Sequence, residues 1–114
     1  MKKILVVNND LDTMELLRSW LEKKAYKVKY TGNEDEVPDI VDDFKPDLVL
    51  TDVLKEEAAK KLKSSDKTKK IPVILMTGYT ISPQTYTKEA DAIIEKPFDP
   101  VVLERMIQKC LKNA

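Results

Sequence analysis

The chain has 114 residues, a length that suits one domain with one substantial core. Its 20 basic and 20 acidic side chains cancel, which gives no electrostatic case for a nucleic-acid or membrane surface. The absence of histidine excludes Ser-His-Asp triads, histidine metal sites and a role as phosphohistidine donor, and the lone Cys110 excludes a disulfide framework.

Ile4 to Val7 is a β-branched run ending in Asn8-Asn9-Asp10, which predicts a first buried strand and its exit loop. Four apolar residues are too few for the core of a signal peptide, and no apolar segment approaches membrane-spanning length. A cytoplasmic protein is expected. Asp12 with Glu15 has the form of a capping box, and Leu16, Leu17, Trp20 and Leu21 recur at helical spacing over Leu11 to Lys24. Lys27 to Thr31 predicts the second strand, closed by Gly32. Asn33 and Glu36 suggest a second capping box, Pro38 fits a first helical turn, and Val37, Ile40, Val41 and Phe44 mark the buried stripe of a second helix.

Pro46 cannot sit inside a helix and biases Lys45 towards an extended conformation. The run Leu48-Val49-Leu50 then carries a third strand to Asp52. Leu54 to Lys63 is rich in helix formers, and Ser64 to Lys67 ends that helix. Lysines 60, 61, 63, 67, 69 and 70 interleave with Glu56, Glu57 and Asp66 and read as a solvated face. Pro72 opens a fourth strand, Val73 to Met76, ending at Thr77-Gly78. Ser82 and Pro83 start a short fourth helix reaching about Ala90. Ala92 to Ile94 is a fifth strand, followed by Glu95-Lys96-Pro97-Phe98. Asp99 and Pro100 begin a fifth helix with Val102, Leu103, Met106, Ile107, Cys110 and Leu111 facing inward. Five strands alternating with five helices predict an α/β fold, a parallel sheet covered on both faces, in one domain over residues 1–114.

Asp52, Thr77 and Lys96 each stand just past an apolar strand, where ligands bind in open α/β sheets. A carboxylate can attack a phosphoryl group, a hydroxyl can bond one of its oxygens, and an ammonium can neutralise its charge. Alone, Asp52 equally suits a cap on the next turn. A phosphotransferase of the haloacid-dehalogenase kind also uses an Asp, a Thr or Ser and a Lys. It carries a second carboxylate two positions after the nucleophile, where this chain has Leu54.

The motifs ILVVNND, PDLVLTD, PVILMTG and EKPF resemble those of the receiver domain of two-component response regulators, in the single-domain chemotaxis-type form. The resemblance implies the flavodoxin-like (CheY-like) strand order 2-1-3-4-5. It places Asp52 as phosphoacceptor, Thr77 as the sensing hydroxyl and Lys96 as the family's invariant-type lysine before Pro97, in a non-enzymatic switch. The implied partners are a sensor histidine kinase or phosphotransfer protein and a downstream protein docking on the helix 4–strand 5–helix 5 face. With no output domain after the fifth helix, the signal is expected to leave through that partner.

The chain departs from the family at the metal site. Receivers usually place two acidic residues after strand 1 to bind magnesium with the phosphoacceptor; here they are Asn8 and Asn9. An asparagine carbonyl can ligate but brings no charge, so an Mg²⁺ site of Asp52, Asn9 and Asn8 is expected to be weak or absent. The segment after Asp52 lacks the usual Pro and Gly, and Ile93 replaces a common switching aromatic, with Tyr79 the nearest other. The alternative is therefore a phosphorylation-independent pseudo-receiver, a protein-interaction module.

Overall fold

The computed structural model describes residues 1–8, 10–52, 56–77 and 90–113. In chain order these form β1 (Lys3–Val7), α1 (Leu11–Lys23), β2 (Lys27–Thr31), a 3₁₀ turn (Glu34–Glu36), α2 (Val37–Phe44), β3 (Leu48–Asp52), α3 (Glu56–Ser64), β4 (Val73–Thr77), β5 (Ala92–Glu95) and a C-terminal helix (Pro100–Asn113). The expected short helix from Ser82 lies outside the described residues. No helix among those described is long and apolar enough to cross a membrane.

The strands form one parallel sheet in the order β2-β1-β3-β4-β5, the expected flavodoxin-like winding. Every residue of β3 and β4 is buried, which is why these strands read as unbroken apolar runs. Alternate residues serve opposite faces. Ile4, Val6, Leu48, Leu50, Ile74 and Met76 pack under Leu17 and Leu21 of α1 and Leu103 and Ile107 of the C-terminal helix. Leu5, Val7, Val49, Val73 and Leu75 pack under Val37 and Val41 of α2 and Leu62 of α3. Edge strand β2 points Lys27 and Lys29 outward, and these charges discourage pairing with another chain.

Several local expectations are corrected. The N-cap of α1 is Asp10, whose carboxylate accepts from the Asp12 backbone N–H at 3.1 Å and from the Thr13 hydroxyl at 2.8 Å; Asp12 lies inside the first turn. Both residues suit a cap, and the pairing with Thr13 selects the earlier one. The second capping box is half formed. Asn33 Oδ1 accepts from the Asp35 N–H at 3.0 Å, but Glu36 takes the Thr31 hydroxyl at 3.0 Å instead of reaching back. Lys45, expected to be extended, is left-handed (φ 52°, ψ 63°), with its N–H bonded to Val41 O. Closing α2 outweighs the bias from Pro46, because the chain must reverse at once into β3.

Leu16 (48% exposed) and Val102 (47% exposed) lie on the solvent rims of their helices, not inside. Lys63 is not part of a solvated face. Its ammonium donates to Ile71 O at 2.9 Å, to Lys69 O at 3.2 Å and to Asp91 Oδ2 at 2.8 Å, and Asp91 Oδ2 also accepts from the Val73 N–H at 2.8 Å. This knot fastens the end of α3 to the starts of β4 and β5. It fixes the sheet from the end opposite the candidate site.

Candidate functional site

The carboxyl ends of β1, β3, β4 and β5 converge, as parallel order requires. Asp52 is the last residue of β3 and is buried; Thr77 is the last of β4 and is fully buried; Lys96 follows β5 directly. The register sets Asp52 beside Met76 and Thr77 beside Glu95. The Lys96 backbone N–H donates to Thr77 O, fastening the lysine to the end of β4. The Lys96–Pro97 peptide is cis.

Lys96 Nζ lies 3.8 Å from Asp52 Oδ2 and 4.0 Å from Asp10 Oδ2. Sequence reasoning thus paired Lys96 with Asp52 and missed Asp10. The available signal was the spacing of Asp10 to Thr13, which marks a helix N-cap directly after a strand carrying the site. At an effective dielectric near 20, the Lys96–Asp52 pair has a gross attraction of about 4 kcal/mol, much of it offset by desolvation. The Asp10 carboxyl is held below the usual carboxylate range, first by the Thr13 hydroxyl and then, against some desolvation, by backbone N–H groups and the Lys96 charge.

Asn8 follows β1, and the β1–β3 register pairs Val7 with Thr51, so one step further sets Asn8 beside Asp52. Asn8 is fully buried. Its Oδ1 accepts from the Asp10 backbone N–H at 2.6 Å. Only an oxygen can face that donor, so the amide orientation is fixed by chemistry. The other end, Nδ2, is buried without a hydrogen-bond partner among the described residues. An unsatisfied buried amide donor typically costs about 1–3 kcal/mol.

These donors suit magnesium poorly. Mg²⁺ takes oxygen ligands and usually one or two carboxylates. The described residues contain no cluster of three or more acidic, cysteine or histidine side chains that could hold a metal. Asp52 and Asp10 both face the Lys96 ammonium, and Asn8 has its oxygen engaged and its donor end unpaired. Asn9, Tyr79 and residues 53–55 lie outside the described residues. Ile93, at the aromatic position, packs against the core beneath α2 and α3.

The fold is thus a doubly wound five-stranded parallel α/β sheet with a carboxylate and a lysine facing each other at its carboxyl edge. Residues 4–108 match the response regulator receiver domain family, and the chain belongs to it. It is a receiver domain of the two-component response regulators, as its motifs indicated. Among curated relatives, the polar-differentiation response regulator DivK of Brucella anthropi is 33% identical over 85 residues, covering 70% of this chain and 69% of DivK. The signal receiver domain of a signal transduction histidine kinase from Syntrophus aciditrophicus superposes with a TM-score of 0.87 at 28% identity, covering 100% of this chain and 92% of that one. The receiver domain of sensor histidine kinase PA1611 from Pseudomonas aeruginosa PAO1 shares the fold, with a TM-score of 0.85 at 18% identity over 97% of this chain and 98% of that one. It was solved with magnesium coordinated in its active site cleft. The chain spans about half the length of many curated relatives it matches.

Proposed function

We propose that this chain is a single receiver domain over residues 1–114 that accepts a phosphoryl group on Asp52. The supporting observation is the 3.8 Å approach of Lys96 Nζ to Asp52 Oδ2 at the carboxyl edge of the sheet. An Asp52 oxygen attacks phosphorus, an acyl-phosphate P–O bond forms, and the bond from phosphorus to the donor's leaving group breaks. Lys96 neutralises the charge that develops, and its ammonium follows that charge from the carboxylate to the phosphoryl oxygens. Thr77 supplies a hydroxyl at the neighbouring strand end. The divalent metal contributes weakly or not at all.

Domains of this family are generally signalling modules, not enzymes. The donor in this reading is a sensor histidine kinase or a phosphotransfer protein, and the signal leaves through a protein partner in the cytoplasm. The face carrying β5 and the C-terminal helix suits that partner. It has a groove of about 510 Å³ lined by Ala92, Val102 and Met106, with Arg105 and Lys109 on the helix and Asp91 before β5 as charged neighbours.

Intact mass after incubation with acetyl phosphate tests the reading. The expected result is a gain of one phosphoryl group in the wild type and none in Asp52→Ala. Absence of the adduct with and without Mg²⁺ contradicts it and leaves a phosphorylation-independent interaction module.

A further inference from the structure

The buried, unpaired Nδ2 of Asn8 distinguishes this site from one built around a cation. One step beyond the Val7–Thr51 pair, the β1–β3 register sets Asn8 beside Asp52. The bond from the Asp10 N–H to Asn8 Oδ1 fixes the amide so that a donor, not an acceptor, is left over. A carboxylate in the same place would present acceptors only, which recruit a cation or its water shell. A donor recruits an anionic oxygen. The positive charge comes from Lys96, whose ammonium lies 3.8 Å from Asp52 Oδ2 and 4.0 Å from Asp10 Oδ2.

We propose that Asn8 donates a hydrogen bond from Nδ2 to an oxygen of the phosphoryl group on Asp52, forming with Lys96 an anion site that holds the group without a divalent cation. This rests on the reading of Asp52 as phosphoacceptor and adds what stabilises the adduct. Among the described residues the amide has no partner in the resting protein, and it gains one as the acyl phosphate forms, so the interaction favours the transferred state over the resting one. No extra reactant is required: the phosphodonor supplies phosphorus and its leaving group departs with the bonding pair.

The test is acetyl phosphate labelling followed by intact mass, in EDTA and in Mg²⁺, for wild type, Asn8→Asp and Asn8→Ala, with far-UV circular dichroism confirming the fold of each. Wild type is expected to label at similar rates in both conditions. Asn8→Asp, nearly identical in shape, is expected to label at least about tenfold more slowly in EDTA and to recover in Mg²⁺. Asn8→Ala is expected to slow in both conditions alike. A purely structural role for Asn8 does not convert a metal-independent protein into a metal-dependent one. Wild-type labelling that requires Mg²⁺ overturns the proposal while leaving Asp52 as phosphoacceptor; no labelling in either condition overturns both. Equal metal-free rates in wild type and Asn8→Asp also overturn it.

Discussion

Lys63→Met tests whether the end of the sheet opposite the site is held by a half-buried ammonium. The substitution keeps the aliphatic stem and removes the charge and three hydrogen bonds, to Ile71 O, Lys69 O and Asp91 Oδ2. Hydrogen bonds involving a charged group contribute about 1.5–3 kcal/mol each when well sheltered. Two terms reduce the sum here. Ordering a lysine side chain costs about 1.5–2 kcal/mol. The partner carboxylate is 44% exposed, so solvent screens that pair. A net loss of about 1–3 kcal/mol remains, measured as the change in unfolding free energy by urea titration. Asp91→Asn keeps an acceptor for the Val73 N–H but removes the charge, so the double mutant separates the ion pair from the carbonyl bonds. Coupling of about 0.5–1.5 kcal/mol is expected for the pair. A Lys63→Met loss below about 0.5 kcal/mol, the range of ordinary surface substitutions, refutes the reasoning.

Leu103→Ala, in a fully buried position, is expected to cost about 2–5 kcal/mol. Val102→Ala, beside it but 47% exposed, should change stability by less than about 0.5 kcal/mol; comparable losses in the two variants contradict the placement of the helix. The Tyr30 phenol is pushed up to about 12, first by burial and then by Glu22, against the Arg18 charge. Its raised value favours the protonated fold, so the contribution is complete below pH 10.0 and is lost as pH rises towards about 12. Absorbance titration should show a late phenol that is missing from Tyr30→Phe, and that substitution should flatten the alkaline stability profile. The Asp10 carboxyl is depressed below its ordinary 3.8, so its contribution is present above that pH and is lost as pH falls through the folded value. Thr13→Val, which removes the largest cause, should weaken the acid-side dependence in urea unfolding at pH 5 and pH 3; an unchanged slope counts against the cap.

The fold was legible because its central strands are buried on both faces. Leu48 to Leu50 and Val73 to Met76 carry no polar alternation, and Pro46, Pro72 and Asp99 punctuate the chain where elements begin. Strand-end chemistry made Asp52, Thr77 and Lys96 legible too. What escaped depends on rotation and on three-dimensional company. A helical stripe gives a direction but not its width, so Leu16 and Val102 read as core when they form the rim. Lys63 sits among other lysines, and nothing local tells it apart from those in solvent; its partners are six to 28 residues away. Asp10 competes with Asp12 for the same cap, and only the fold brings its carboxylate to Lys96. Asn8 read as a lost metal ligand. The bond from the Asp10 N–H shows which end of its amide is left to act.

Borohydride reduction of the acetyl phosphate-treated protein, followed by peptide sequencing, tests the central claim most directly. An acyl phosphate on an aspartate is reduced to the alcohol, which marks the modified residue as homoserine. The account predicts that mark at position 52 and nowhere else, with loss of the mark when Lys96 is replaced by Ala. Homoserine at Asp10, or at another carboxylate with position 52 unmodified, would contradict it.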